Sequence, residues 1–534
     1  MAFHPRNEAV RGSINSSDLE RQREMAPAEP PSDVEMKALE ASGPSGHSAQ
    51  LSKTKSIAEQ LPLAQEILFV GVVVTAQFTA QTGLNQMIPI IFIIGDSYGV
   101  TDTAQLSWLI AGFSLTVGSF ILIAGRLGDL YGYKRMFIIG MAWFSLWSMI
   151  GGLAVYSNAV LFIFARVFQG MGPALTLPNG LALLGVSYAP GRRKDMVFAI
   201  FAAMAPVGSV VSAAFGALFA LAWWPWAFWA TAITLAAIAV VSSFVIPDPP
   251  KKYDAGRMSL RQRLIALDLG GAAVGITGLV LFNFAWNQAP IVGWNEAYVI
   301  VCLILGIIFL AGFFVIETKL APEPLIPFEA LNSDVAFVLG CTSLGWASFG
   351  VWIYYLYIFL LRIRGLPPLL VAAQLSPIPI SGTCAAIITG YLMSRLRPAK
   401  IMAIAMFFFL TGSLLTGAMP VHQTYWAQTF VCMLVIVFGM DMSFPAATVI
   451  LSNSVPKNHQ GIAASLVTTV VNYSISLGLG FAGTVEAYTK TGRTPEEVQL
   501  NGYRHAMYVA YGLSGAGLVL SLLFVAKDHF KKPL

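Results

Sequence analysis

The stretch Gly125-Arg126-Leu127-Gly128-Asp129-Leu130-Tyr131-Gly132-Tyr133-Lys134-Arg135 lies between two long apolar runs. It combines one carboxylate, three cations and three glycines in eleven residues. An acidic group beside hydrocarbon is costly, so we expect Asp129 to be paired or to lie near a helix N-terminus. Glycines allow helices to approach closely. We therefore predict a tight turn between two membrane spans, with an ordinary polar connection as the alternative.

The composition of the whole chain is that of a membrane protein. Of its 534 residues, 56% are hydrophobic and only 11% are charged, whereas soluble proteins have about 25% charged residues. Apolar runs of roughly 20 residues, enough to cross a bilayer core of about 30 Å, recur along the chain. These runs are continuous rather than alternating, which excludes a transmembrane barrel. We predict an all-α polytopic membrane protein with fourteen spans, of which the eighth and thirteenth cover 298–316 and 461–486.

The distribution of Lys and Arg predicts the orientation of the chain. With the N-terminus inside, 26 of the 32 basic residues fall in tails and loops on the inner side and five in outer loops. The positive-inside rule then predicts an even number of spans with both termini cytoplasmic. The remaining cation, Arg166, lies within a span. The residues Trp223, Trp224 and Trp226 are typical of an outer membrane interface.

The predicted spans divide the chain into five segments. Residues 1–65 are polar and lack a signal-peptide pattern, and we predict a disordered cytoplasmic tail. The other segments are a six-helix bundle at 66–247, a linker with two extra spans at 248–333, a second six-helix bundle at 334–526 and a cytoplasmic tail at 527–534. The stretch from Gly390 to Lys400 repeats part of the 125–135 pattern, which fits two bundles related as parallel repeats.

Three motifs carry a resemblance to a known family. The spacing G-x-L-x-D-x-x-G-x-K-R at 125–135 resembles the loop between spans two and three of major facilitator superfamily transporters, with Leu130 at a position that is often basic. The stretch 166–174 resembles the span-four motif. The stretch 438–457 resembles the fungal fourteen-span drug:proton antiporters, in the subgroup associated with aminotriazole resistance and boron efflux. The resemblance implies the major facilitator fold over about 66–526.

Two charged side chains within spans are candidates for proton coupling. A guanidinium within a span almost always faces a bundle interior or wet cavity, so Arg166 is expected there together with Gln169 on the same helix face. The alternative is an arginine that snorkels to the interface. Asp441 is the only acid predicted well inside a span, and we interpret it as a protonation or cation site. The alternatives are a capped carboxylate that bridges helix ends, and a span boundary that places Asp441 nearer the inner surface.

The resemblance also implies a conformational latch in the opening stretch. Its residues are Gly125, Asp129, Gly132, Lys134 and Arg135, and they hold one conformation closed on the inner side without touching substrate. Span five carries Pro206, Gly208, Ser212 and Gly216, where small residues four apart favour close helix packing. This segment also resembles the family's span-five antiporter signature, although the usual Gly-Pro pair is Ala205-Pro206.

Uncharged polar side chains within spans are substrate-cavity candidates. They are Gln77, Gln81, Asn85, Asn179, Asn283, Asn287 and Asn472. The first three are four residues apart and form one stripe, which lines an aqueous path or ties helices by hydrogen bonds. The aromatic run Trp346, Trp352, Tyr354, Tyr355 and Tyr357 has two readings as well, a cavity lining or an anchor against lipid and interface.

No pattern in the sequence predicts an enzyme. A phosphate-binding glycine loop is absent, and neither histidines nor cysteines have metal-ligand spacing, so we expect no cofactor, metal or nucleic-acid partner. The resemblance implies a proton-coupled exporter of small toxic solutes or drugs, monomeric and in the plasma membrane or the vacuolar membrane. The alternatives are an importer or facilitator of a small polar solute or cation such as ammonium, and a non-transporting sensor.

Overall fold

Helices make up almost all of the described chain, because a backbone in hydrocarbon must satisfy its hydrogen bonds within its own segment. The computed structural model describes residues 57–189, 191–248, 258–326, 333–454 and 460–530. Within these ranges fourteen helices are long and apolar enough to cross a bilayer, which confirms the predicted number of spans. Most of the predicted tail at 1–65 lies outside the described residues.

The helices of these spans are numbered 1 to 14 in chain order. The spans are Leu63–Ser97, Thr103–Tyr131, Tyr133–Tyr156, Ala159–Ser187, Arg192–Ala222, Pro225–Val245, Leu269–Val292, Ala297–Leu320, Ser333–Ile363, Pro368–Met393, Pro398–Gly417, Thr429–Ser452, Ser465–Thr489 and Pro495–His529. Polar side chains cap several helix starts. Asp102 accepts a hydrogen bond from the Ala104 amide, and Asn158 accepts one from the Leu161 amide, which satisfies free backbone donors.

The 125–135 stretch is not the tight loop that we predicted. Span 2 stays helical as far as Tyr131, and only Gly132, with a φ of 103°, turns the chain before span 3 begins. Gly128 lies within the helix, and a Cβ there would stand 1.7 Å from Asn179 Oδ1, so only a glycine lets spans 2 and 4 approach this closely. The glycines thus permit a one-residue turn and a close helix approach. We call the side of the molecule at Gly132 the motif side and the other the opposite side.

The spans pack as two groups that meet mainly along two helix pairs. Among spans 1 to 6, span 3 contacts spans 4 and 6, and span 1 contacts span 5; among spans 9 to 14, span 11 contacts spans 12 and 14, and span 9 contacts spans 13 and 14. The first group meets the second where span 2 contacts span 13 and span 5 contacts span 10. We refer to the two groups as the first and second halves. The segment boundaries at 66–247, 248–333 and 334–526 stay a prediction.

The two extra spans lie beside the contact between spans 2 and 13. Spans 7 and 8 pack on each other, and span 7 also contacts spans 2 and 13. Span 8 is the least buried and most hydrophobic of the fourteen, so most of its surface faces lipid. A short helix, Leu260–Ala266, precedes span 7 and begins with a capping box formed by Ser259 and Gln262.

Candidate functional site

Arg166 is completely buried inside the first half. Its Nε donates to the Leu109 carbonyl at 3.0 Å and its Nη2 to the Gly83 carbonyl at 2.6 Å, so it joins span 4 to spans 1 and 2. Its Nη1 donates to Gln169 Oε1 at 2.5 Å. The alternative that Arg166 snorkels to the surface is therefore wrong. No carboxylate in the described part of the chain pairs with it, so its charge is stabilised by oxygen dipoles.

Gln169 extends the Arg166 network to span 3. Its Nε2 donates to Ser148 Oγ at 2.7 Å, and Ser148 donates to the Phe144 carbonyl. The span-four helix is interrupted directly after Gln169, at Gly170, where a Cβ would lie 2.4 Å from the Phe113 carbonyl. Arg166 and Gln169 together thus hold spans 1 to 4 in register, and neither side chain is exposed to a cavity.

Asp441 lies midway along span 12, at the meeting of the two halves. A Cβ on Gly382 of span 10 would stand 2.8 Å from Asp441 Oδ2 and 3.2 Å from the ring of Pro206 on span 5. Gly382 therefore leaves the space in which the carboxylate and the proline ring come close together. Asp441 is partly exposed, but its Oδ2 atom is buried and has no hydrogen-bond partner among the described residues.

The remaining span-five residues pack against span 1. A Cβ on Gly208 would lie 2.9 Å from the Phe78 carbonyl, and one on Gly216 would lie 1.8 Å from the Gln86 carbonyl. Ser212 is buried and donates its hydroxyl to the Gly208 carbonyl. The small residues at four-residue spacing thus allow spans 1 and 5 to touch backbone to backbone.

The polar stripe of span 1 is only partly open. Gln77 and Gln81 are partly exposed and Asn85 is buried, with its Nδ2 donating to the Gln81 carbonyl and to Gln81 Oε1. Asn472 is also partly exposed, and its Nδ2 donates to the Thr468 carbonyl of its own helix. These partly exposed side chains remain cavity candidates.

Three other predicted cavity residues are instead fully buried between helices. Asn179 Nδ2 donates to the Ala124 carbonyl at 3.2 Å and so joins span 4 to span 2. Asn287 Nδ2 donates to Asn283 Oδ1 at 2.9 Å and to the Ser476 carbonyl at 3.2 Å, which joins span 7 to span 13. Their exposed fractions are 1% or less, so they do not line a cavity in this conformation. A lone Asn in a span serves either role, and the sequence pattern does not distinguish them.

The motif residues contact both segments that connect the halves. The Tyr133 hydroxyl donates to Asp129 Oδ1 at 2.6 Å, and Lys134 lies 3.4 Å from Asp248 after span 6. Arg126 Nη2 donates to the Pro324 carbonyl at 2.7 Å, and Nη1 lies 3.7 Å from Glu323 after span 8. Of the predicted latch residues, Gly125 lies near Ser465 of span 13, whereas Arg135 is exposed.

A polar cluster on the opposite side was not among the predicted site residues. Glu486 of span 13 is 6% exposed and accepts hydrogen bonds from Thr103 Oγ1 at 2.8 Å and the Tyr355 hydroxyl at 2.7 Å, and Lys490 Nζ lies at 3.1 Å. The Tyr354 hydroxyl donates to the Thr103 carbonyl. Thr103 belongs to the first half and the other residues to the second. We call these five residues the clasp.

The clasp also decides between the two readings of the aromatic run in span 9. Tyr354, Tyr355 and Tyr357 are at most 2% exposed, and so is Trp352, whose Nε1 donates to Thr416 Oγ1 at 2.7 Å. The anchor reading is therefore wrong for these four residues. Glu486 was missed because the predicted span 13 ended at that residue, although Lys490 one turn later was a signal for an ion pair.

Two cavities lie near these spans, and no predicted site residue lines either of them. One, of about 370 Å³, is apolar and is enclosed by spans 2, 7, 8, 9 and 13. The other, of about 500 Å³, opens beside the clasp and is lined by polar residues that include Asp102, Arg362 and Arg493.

Comparison with known proteins decides the family. The model of the major facilitator superfamily matches residues 70–479. The chain belongs to the major facilitator superfamily. It is 51% identical to the low affinity ammonium transporter of Saccharomyces cerevisiae (88% of this chain, 90% of the relative). It is 44% identical to the efflux pump terG of Aspergillus terreus (90% of each) and 38% identical to the aminotriazole resistance protein of S. cerevisiae (88% and 85%).

Membership in the superfamily confirms several predictions. The fold is that of a major facilitator with fourteen candidate spans, and the relatives include fungal drug-resistance proteins and efflux pumps. The protein is an integral membrane transporter and not an enzyme.

Proposed function

We propose that this transporter is a proton-coupled exporter of small toxic solutes, in which Asp441 binds the transported proton. The observation that carries the proposal is the position of the Asp441 carboxylate, which projects from span 12 toward Gly382 of span 10 and lies close to Pro206 of span 5. A buried carboxylate oxygen without a donor is stabilised when it takes up a proton. Its partial exposure gives it a route to water.

The position of Asp441 links proton binding to movement of the halves. Major facilitator transporters work by rocking of one bundle against the other around a central site. Spans 5 and 10 belong to different halves, so a change of charge at Asp441 acts directly on a surface at which the halves meet. A proton that enters from outside neutralises this carboxylate and favours the state that releases substrate outward.

Arg166 has a supporting role in this proposal. Its hydrogen bonds to spans 1 and 2 make the first half a rigid unit, and rigid-body movement requires such a unit. Because no described carboxylate pairs with Arg166, we assign the proton to Asp441 alone. Substrate contacts are assigned to the partly exposed amides Gln77, Gln81 and Asn472.

The orientation of the chain gives each side of the molecule a function. We place the motif side and both termini in the cytoplasm, as the distribution of Lys and Arg predicts. The clasp then closes the outer side in the described conformation, and the motif residues act as the inner latch. The proposed protein acts as a monomer in the plasma membrane, with the vacuolar membrane as the alternative site.

A second candidate function is import or facilitated entry of ammonium. It is favoured by the 51% identity to a low affinity ammonium transporter, which exceeds the 44% identity to an efflux pump. The same fold and the same two gates serve movement in either direction.

Solute accumulation separates the two candidates. A strain that lacks the gene for this protein is compared with the same strain expressing the protein. The first comparison is a growth screen with aminotriazole, azoles, borate and ammonium as probes. The second measures the uptake of whichever probe affects the growth of the two strains differently. An exporter lowers accumulation, and dissipating the proton gradient abolishes the difference. An ammonium importer raises the accumulation of ammonium and improves growth on low ammonium. That result would contradict the export proposal.

A further inference from the structure

Two carboxyl groups face each other at the motif-side end of the extra spans. Asp268 immediately precedes span 7 and Glu317 lies in the last turn of span 8, with exposed fractions of 9% and 4%. A Cβ on Gly271 would stand 2.3 Å from Asp268 Oδ2 and 2.9 Å from Glu317 Oε1. The two oxygens therefore share one small space, which is open only because residue 271 is a glycine.

Each carboxyl group has one oxygen with a donor and one without. Asp268 Oδ1 accepts a hydrogen bond from the Gly271 amide at 3.2 Å, and Glu317 Oε2 accepts one from the Ile326 amide at 3.1 Å. Asp268 Oδ2 and Glu317 Oε1 are buried and have no donor among the described residues. No described Lys or Arg forms an ion pair with either group. Two unpaired negative charges in so small a buried space would repel each other strongly.

We propose that Asp268 and Glu317 share one proton and form a proton-binding site within the two extra spans. A single O–H between Oδ2 and Oε1 supplies the donor that neither oxygen has among the described residues, and it reduces the pair to one negative charge. A metal ion fits this site poorly, because the neighbouring backbone groups are N–H donors and not oxygen ligands. The described residues contain no group of three or more metal-ligating side chains. The proposal does not depend on the role of Asp441.

The surroundings of the pair connect it to the motif residues. Ile326, which donates to Glu317, lies two residues after Pro324, whose carbonyl accepts from Arg126 of span 2. The other charged groups of these elements are Glu323, which faces Arg126, Arg263, whose Nε donates to the Met258 carbonyl, and the exposed Arg261 and Lys319. Loss of the shared proton would leave two carboxylates that repel each other. Their separation would break the hydrogen bond from the Ile326 amide to Glu317. Protonation of the pair is thereby coupled to the contact that Arg126 makes after span 8.

Infrared spectroscopy tests for the shared proton, since the C=O band of a protonated carboxyl group is distinct from that of a carboxylate. The protein is the purified full chain in lipid nanodiscs, carrying Asp441→Asn so that the other proposed site does not contribute. We expect a band equivalent to one protonated carboxyl group per chain at neutral pH. Glu317→Gln should remove it, because the Gln amide donates to Asp268 Oδ2 and allows Asp268 to ionise.

Two further variants keep the test decisive. Glu323→Gln removes a nearby carboxylate that is about half exposed, and it should leave the band unchanged. Asp268→Asn should remove the band as Glu317→Gln does, and it replaces that variant if the latter fails to fold in thermal unfolding. Absence of the band before either substitution, or its persistence after both, would overturn the shared proton. Neither result would bear on transport through Asp441.

Discussion

Opening of the opposite side, which we propose is the outer side, should depend on the hydrogen bond between Thr103 and Glu486. It joins the two halves at 2.8 Å, and Thr103→Val removes its donor while keeping the shape of the side chain. Glu486 keeps its bonds to Tyr355 and Lys490, so the variant loses this cross-half bond without leaving the carboxylate unpaired. The bond from the Tyr354 hydroxyl to the Thr103 carbonyl also remains. A hydrogen bond to a charged group is worth about 1.5–3 kcal/mol. At about 1.4 kcal/mol for each factor of ten, we expect the equilibrium to shift about 10- to 150-fold toward the outward-open state.

Distances between two spin labels on the outer side measure this equilibrium. Cysteines introduced at Tyr156 and Trp426, which are 72% and 70% exposed and belong to different halves, carry the labels after Cys302 and Cys384 have been replaced by serine. Double electron–electron resonance on the protein in nanodiscs then gives the population of each distance. Thr103→Val should increase the population at the longer distance.

A second hydrogen bond to the Glu486 carboxylate provides a matched control. Tyr355→Phe also removes a hydrogen bond to Glu486, but both partners belong to the second half, so the outer distance should stay as in the unchanged protein. Tyr357→Phe removes a buried hydroxyl that has no hydrogen-bond partner among the described residues and should likewise have no effect. An unchanged distance in Thr103→Val, or an equal shift in Tyr355→Phe, would refute the clasp as an outer gate.

Three further predictions concern the first half and its motif. Gly128→Ala adds a methyl group 1.7 Å from Asn179 Oδ1, so it should lower the melting temperature, and Asn179→Ala in the same protein should restore most of the loss; failure of that rescue would show another cause. Arg166→Gln leaves the Gly83 and Leu109 carbonyls without their donor and should cost about 1–3 kcal/mol for each; unchanged thermal stability would contradict the role of Arg166 in holding the half together. Asp129→Asn should slow turnover in vesicles with little change in substrate affinity, whereas a change in affinity alone would contradict the latch.

The fold was predictable because hydropathy and charge distribution act on whole segments. The number of spans follows from apolar length, and the resemblance of the 125–135 and 166–174 motifs identified the family. The burial of Arg166 was predictable for the same reason, since a guanidinium in a span has few other stable positions. The helical form of residues 125–131 was not, because a polar stretch with three glycines is typical of a turn. The close approach of Asn179 to Gly128 also comes from a distant part of the sequence.

Several residues of the described sites could not be predicted from the sequence, for two physical reasons. Glu317 and Glu486 lie at the ends of predicted spans, where a shift of one turn decides whether a carboxylate faces water or protein. Tyr354 and Tyr355 were ambiguous because lipid and a bundle interior are equally apolar, so hydrophobicity does not distinguish the two environments. The proximity of Asp441 and Pro206 depends on the contact between halves, which leaves no pattern in one sequence.

The central claim, that Asp441 binds the transported proton, is tested most directly by solute flux under an imposed pH gradient. The flux is measured in liposomes that contain either the wild-type protein or Asp441→Asn. The probe is whichever of aminotriazole, borate, azole or ammonium the growth screen identifies. We predict that the wild-type protein moves the probe against its concentration gradient only while the pH gradient lasts. The Asp441→Asn protein, inserted and as stable as the wild type, should lose this accumulation. Wild-type accumulation in Asp441→Asn would contradict the assignment of the coupled proton to this carboxylate.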